Sequence, residues 1–309
     1  MRLDPSTQKS LFGHNEIFET LKNLQQKEKL PNKIIFSGVK GIGKCTLAYH
    51  LINYVLSSNE KFSYDAKNLN INSENKTFKL IQNKSNPNFN LIDVEEGKKN
   101  IDINQIRKLI SNLNKSSFNS KPRFVLIDNI ELLNVNSVNA LLKVIEEPNN
   151  NTYFVLINNN KGILPTLKSR CINFKISLSR EQGTEVTNKI LKKNVYNLFN
   201  HEFLEYYSTP GQLLKILEFS DEIKFDIKNL SLEEFLSYAI KNKIYKKDKT
   251  ILSLIFSFIE IYFRKDVSVK KGKVIDFYKY FLKKIHDTKI YNLDEETLLI
   301  EFENRILNG

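Results

Sequence analysis

Lys33-Ile-Ile-Phe-Ser37 is a short apolar run that ends in Gly38-Val-Lys-Gly-Ile-Gly-Lys44. From Lys44 to Leu56 the apolar residues then recur at helical spacing, with Leu47, Ala48, Leu51, Ile52 and Val55 on one face. Strand, glycine-rich loop and helix in that order are the context of a P-loop. Gly38, Gly41 and Gly43 would let backbone N–H groups turn inward around phosphates, and the helix N-terminus adds a favourable dipole. Lys44 is placed to reach the outer phosphates.

Three more runs have the same short, nearly continuous apolar character: Phe89-Asn-Leu-Ile-Asp93, Phe124-Val-Leu-Ile-Asp128 and Tyr153-Phe-Val-Leu-Ile157. Helical patterns at Ile103–Leu113 and Ser137–Glu147 lie between them. That alternation predicts an α/β fold, a parallel sheet with helices on both faces. Ligands bind such sheets at the carboxyl ends of the strands. Ile17, Phe18, Leu21 and Leu24 predict one earlier helix, whereas 57–90, rich in Asn, Ser and Lys, reads as a surface insertion or partly disordered loop. After Phe174 the strand pattern stops. The remainder reads as helices, for example after the capping box Ser231-Leu-Glu-Glu234.

The chain of 309 residues is long enough for about two domains, or three small ones. Hydrophobic residues make up 41% and charged residues 27%, which excludes global disorder. Two cysteines, Cys45 and Cys171, are too few for a disulfide framework or a four-ligand zinc site. No apolar leader is visible, and the longest apolar stretch, Ile251 to Phe263, contains Glu260 and is too short for a membrane span. A soluble, cytosolic protein is expected. Of the net charge of +12, residues 1–175 carry most, with 25 basic and 15 acidic side chains. Two readings stay open: a surface that concentrates polyanions, or the Lys-rich drift of an AT-rich genome.

The loop lacks two parts of a hydrolase. The position after Lys44, where a hydroxyl normally holds Mg²⁺, is Cys45, and a protonated thiol is a poor ligand for a hard cation. Thr46 has a hydroxyl, but one residue along a helix turns it by about 100° away. Asp128 ends a strand and could hold metal directly or through water. The next residue is Asn129, which cannot serve as a base, and Glu131 points elsewhere if the strand simply continues. Nucleotide binding stays open on these residues, while hydrolysis is not expected.

Further motifs follow in order: Asp128-Asn-Ile-Glu-Leu-Leu-Asn134, Asn139-Ala-Leu-Leu-Lys143 with Glu146-Glu-Pro148, and Leu164-Pro-Thr-Leu-Lys-Ser-Arg-Cys171. Together they resemble the AAA+ subunits of the bacterial DNA polymerase III clamp loader. Gly13-His14, Leu30-Pro31, Ser208-Thr-Pro-Gly-Gln-Leu-Leu214 and the Asn292-Leu-Asp-Glu segment extend the resemblance over nearly the whole chain. Cys45, Asn129 and Gln212, the last at the position of the motor's sensor arginine, bring it nearer the delta-prime type than the ATP-hydrolysing gamma/tau type.

The resemblance implies an AAA+ P-loop domain over 1–175, a small helical lid over 176–222 and an all-α collar over 223–309. It implies a five-subunit ring with gamma/tau and delta subunits, acting on the sliding clamp and primed DNA in the cytoplasm, at a nucleoid-associated replisome and not at a membrane. No cofactor is required. The degenerate nucleotide site would comprise Gly38, Gly41, Gly43, Lys44, Cys45, Thr46, Asp128, Asn159 and Gln212; it admits ATP or ADP but lacks a sound Mg²⁺ site. Arg170 would act catalytically in trans, stabilising charge on the phosphoryl transferred in a neighbouring motor subunit. Read from the residues alone, Arg170 has the alternative of a surface arginine at the start of a strand, and Asn158-Asn159 that of an ordinary post-strand loop. Cys171 reads as a small core residue, and the four histidines show no ligand spacing.

Overall fold

The computed structural model describes residues 4–95, 97–115, 119–148, 151–204, 208–246, 249–267, 273–291 and 293–307. In chain order the elements are α1 (Asn15–Gln26), β1 (Lys33–Ser37), α2 (Lys44–Leu56), α3 (Lys76–Gln82), β2 (Phe89–Ile92), α4 (Ile103–Leu113), β3 (Arg123–Ile127), α5 (Val135–Glu146), β4 (Thr152–Asn158), α6 (Pro165–Lys168), β5 (Ile172–Lys175) and α7 (Arg180–Leu191). Helices α8 (Pro210–Ile223), α9 (Leu232–Lys241), α10 (Lys249–Val267), α11 (Lys273–Tyr291) and α12 (Glu295–Phe302) follow.

The five strands form one parallel sheet in the order β2-β3-β4-β1-β5. Successive strand residues point to opposite faces. Ile35, Val125, Ile127, Phe154 and Leu156 therefore pack with Ile106 and Leu109 of α4 and Val138, Leu141 and Ile145 of α5. Ile34, Phe36, Phe124 and Leu126 are buried on the other side. Two buried faces explain why the central strands read as unbroken apolar runs. Asp102 and Gln105 close a capping box on α4, and the Asn134 side chain caps α5 by accepting from Ser137 N–H at 2.8 Å.

The fifth strand, read from the sequence only as a strand following Arg170 and ending at Phe174, carries a weaker pattern than the other four. β5 is an edge strand paired only to β1, and its Ile172 is 54% exposed, so no buried alternation marks it. Cys171, expected in the core, is half-buried, and burial pushes its thiol up to about 11. Segment 57–90 also differs from expectation, because it is folded. Tyr64, Leu69, Ile71, Phe78 and Ile81 are buried, and α3 starts at Asn75, which is fully buried.

Packing groups the chain into two compact units, Met1–Lys189 with Thr209–Gly211, and Ile190–Ser208 with Gln212–Gly309. One continuous core in the second unit runs from Val195 and Phe203 through Phe235, Phe256 and Phe263 to Phe281 and Phe302. Its rings meet edge to face, as Phe203 with Phe258 and Phe281 with Phe302. The expected Ser231–Glu234 capping box opens α9. Of the Asn292-Leu-Asp-Glu segment, Asn292 lies outside the described residues, and Asp294 caps α12. Among the described residues, no helix is long and apolar enough to cross a membrane.

A buried histidine ties the N-terminal segment to α2. His50 is fully buried; its Nε2–H donates to the Gln8 carbonyl at 3.2 Å, and Nδ1 accepts from the Tyr64 hydroxyl at 2.9 Å. Burial holds its pKa down at about 4, against about 6.5 in an unfolded chain. The neutral form is the folded form, so this contribution is complete above pH 6.5 and is lost as pH falls towards 4. The loss is on the order of 3 kcal/mol when complete. Urea midpoints measured from pH 7.5 down to pH 4.5 should fall accordingly, and His50→Gln should flatten that part of the profile.

Candidate functional site

The P-loop turns where its glycines demand it. Gly41 and Gly43 have φ of 89° and 93°, in the left-handed region that side chains disfavour. At Gly38 the constraint is space, since a Cβ would sit 2.3 Å from the Ile176 carbonyl oxygen. His14 braces the turn from below, its Nε2–H donating to the Ile42 carbonyl at 2.6 Å. Burial lowers the His14 pKa, and the bond to the Ile42 carbonyl offsets part of that shift. Residues 209–211 strap across the loop. The Thr209 hydroxyl donates to Lys40 O at 3.0 Å and Gly211 N–H to Gly41 O at 2.8 Å. A Cβ on Gly211 would lie 2.8 Å from Gly41 Cα, so only glycine permits this approach. Gln212, the next residue, is half-buried in the second unit.

Lys44 is 3% exposed, and its ammonium donates to Gly38 O and Val39 O, each at 2.8 Å, and to Asn159 Oδ1 at 2.9 Å. Burial pushes its pKa down to about 8, partly offset by Asp128 and Glu131. All three ammonium protons thus point at acceptors of the protein itself.

Cys45 and Asp128 meet where metal would be held in a hydrolase. Burial, together with the neighbouring Asp128 carboxylate, pushes the Cys45 thiol pKa well above its ordinary value. Asp128 is in turn raised to about 6 by burial and by the nearby Asp93 charge. A buried, neutral thiol beside the would-be metal ligand is the wrong donor set for Mg²⁺. Thr46 is half-buried, one residue further round α2. Among the described residues no group of three His, Cys, Asp or Glu side chains could hold a metal ion.

Glu131 corrects an expectation. The strand does not continue past Asp128, because Asn129 adopts φ 56° and a 3-10 turn, Ile130–Leu132, follows. That turn brings Glu131 back, so that its carboxylate accepts from Asn159 Nδ2 at 2.9 Å and from Asn159 N–H at 3.3 Å. Asn159 Nδ2 also donates to Asn129 Oδ1 at 2.9 Å, and Asn129 Nδ2 to Asp93 Oδ1 at 2.8 Å. Lys44, Asn159, Glu131, Asn129 and Asp93 therefore form one chain of hydrogen bonds across the ends of β1, β4, β3 and β2. Asp93 was missed, although Asn-Leu-Ile-Asp93 repeats the strand-end pattern of Val-Leu-Ile-Asp128.

Arg170 takes no part in those bonds. It follows α6, with Nη1 donating to the Thr166 carbonyl at 2.9 Å and Nη2 2.6 Å from Glu146 Oε1. Ser169 also bonds back to Thr166 O, at 3.1 Å, which makes it a local backbone cap.

A family model described as DNA polymerase III, delta subunit, matches residues 13–179. DNA polymerase III subunit gamma of Buchnera aphidicola subsp. Schizaphis graminum is 29% identical over 206 residues, 66% of this chain and 54% of that one. Subunit delta' of Pseudomonas aeruginosa is 32% identical over 136 residues, 44% of this chain and 40% of that one. A delta' subunit of the same Buchnera is 24% identical over 274 residues, 84% and 81% of the two chains. The chain thus spans about half the length of the first curated relatives it matches. The crystal structure of a DNA polymerase III gamma subunit-related protein from Thermotoga maritima superposes with a TM-score of 0.55 at 18% identity, covering 92% of this chain and 96% of that one. That likeness is one of fold. From the family match over more than half its length and the P-loop sheet that carries it, the chain belongs to the DNA polymerase III delta-subunit family of clamp-loader AAA+ proteins.

Proposed function

We propose that this chain is a delta-prime-type subunit of the DNA polymerase III clamp loader, which does not hydrolyse ATP itself. It would assemble with gamma/tau and delta subunits, help load the sliding clamp onto primed DNA, and supply Arg170 to the ATP site of a neighbouring motor subunit. The observation that carries this reading is Cys45 itself, which follows Lys44 at the start of α2 and sets a neutral thiol beside Asp128, where a motor needs a hydroxyl for Mg²⁺. Asn129 supports it, since its amide is engaged by Asp93 and Asn159 and has no basic electron pair to offer a water. The lid and collar roles of 176–222 and 223–309 belong to the same proposal.

One observation favours the other reading, an ATP-hydrolysing gamma/tau-type subunit. Glu131 is close enough to Lys44 to affect its titration and could in principle replace the missing base. Its carboxylate is nevertheless committed to both nitrogens of Asn159. Calorimetric titration of the full chain with ATP, with and without Mg²⁺, separates the two readings. A delta-prime-type site gives an ATP affinity, whatever its size, that Mg²⁺ leaves within about twofold. Affinity that rises tenfold or more with Mg²⁺ would reinstate the metal site and the motor reading.

A further inference from the structure

The two motifs that flank β4 in sequence meet in space. Glu146, the last residue of α5, belongs to the Glu146-Glu-Pro148 run, and Arg170 to Ser169-Arg-Cys171. Their side chains are 37% exposed for Arg170 and 48% for Glu146, and the Nη2–Oε1 distance of 2.6 Å is that of a direct charge-assisted hydrogen bond. The second terminal nitrogen, Nη1, bonds the Thr166 carbonyl four residues back, so the guanidinium is folded over its own helical turn. Both terminal nitrogens, the ones an arginine would offer to a phosphoryl group, are thereby held by this chain. Glu146 also offsets the charge that a phosphate would feel, by placing a negative group against the positive one.

We propose that Glu146 is a positioning residue that parks Arg170, so that the arginine must exchange a carboxylate of its own chain for the phosphoryl group of the neighbour. The inference rests on the in-trans role proposed for Arg170. An exposed pair is weak, so the restraint suits a switch that ring closure or DNA can overcome. The neighbouring Glu147 has the same charge and exposure class but is not the residue paired with Arg170, which makes it the control.

The test is steady-state ATPase of a ring reconstituted with gamma/tau and delta subunits, measured with and without primed DNA and clamp. Five versions of this chain are compared: wild type, Glu146→Ala, Glu147→Ala, Arg170→Ala and the Glu146→Ala/Arg170→Ala double variant. Glu146→Ala should raise the DNA-free rate roughly two- to fivefold, leaving KM for ATP and the DNA-stimulated maximum unchanged. Glu147→Ala should do neither, and the double variant should match Arg170→Ala. A DNA-free rate that is unchanged or lowered by Glu146→Ala overturns the parking role, as does an equal rise with Glu147→Ala. If Arg170→Ala itself leaves every rate unchanged, the in-trans reading fails instead, and the two failures are told apart.

Discussion

Arg170→Ala in this chain alone should cut the primed-DNA-stimulated ATPase of the reconstituted ring by tenfold or more, with the ring still assembled. An arginine supplied in trans is worth about 10³–10⁵ in turnover at the site it serves, and sites that fire in sequence pass the loss on. The substitution is also cheap for the fold. Arg170 is partly exposed, lies outside the P-loop network, and gives up one surface ion pair worth at most about 1 kcal/mol. Arg170→Lys should restore little, because a point-charge ammonium lacks the planar fork that meets two phosphoryl oxygens at once. Loss of rate without loss of assembly is therefore the signature, and size-exclusion chromatography of the same preparations supplies the second half.

The second large effect is on stability. Asn75 should be one of the most sensitive polar positions in the chain, with Asn75→Ala costing about 3 kcal/mol. Its Oδ1 caps α3 by accepting from Phe78 N–H at 2.7 Å and also accepts from Asn53 Nδ2 at 2.9 Å. Its Nδ2 donates to the Phe62 carbonyl at 2.8 Å. Ser57 completes the knot, donating to Asn53 Oδ1 at 3.3 Å and accepting from Tyr64 N–H at 3.0 Å. Alanine would remove a cap and take the acceptor from two buried donors, the Phe78 N–H and the Asn53 amide. The measurement is amide hydrogen exchange across 57–90 together with a urea midpoint. Lys76→Ala, one residue on and exposed, is the comparison and should change little.

That knot explains why 57–90 was misread. Apolar periodicity is the main signal of structure in a sequence, and here a handful of buried Asn and Ser side chains does part of the work of a core. The same letters, Asn, Ser and Lys, also mark loops, and only their mutual hydrogen bonds distinguish the two cases. By contrast, the central sheet was legible almost strand by strand, because Ile34-Ile-Phe36 and Phe124-Val-Leu-Ile127 must be apolar on both faces. β5 gives a weaker signal because an edge strand is under no such constraint.

The site divides along the same line. Gly41 and Gly43 take the left-handed turn and Lys44 opens α2, a strand–loop–helix order legible in the sequence because such a loop is a local structure set by residues a few positions apart. Asp93 and Glu131 enter through tertiary geometry. A left-handed Asn129 turns Glu131 around, and parallel pairing of β2 with β3 sets Asp93 beside Asn129. Neither follows from spacing along the chain. Arg170 was singled out by its motif, while its grip on Glu146 and Thr166 is visible only in three dimensions.

The most direct measurement compares two single substitutions, each confined to this chain, in the ring's primed-DNA-stimulated ATPase. Lys44→Ala disables the chain's own phosphate loop, and Arg170→Ala disables what it offers its neighbour. The account predicts that Lys44→Ala preserves the rate once assembly is verified and that Arg170→Ala collapses it. A ring that loses turnover with Lys44→Ala and keeps it with Arg170→Ala would contradict the account and make this chain a motor in its own right.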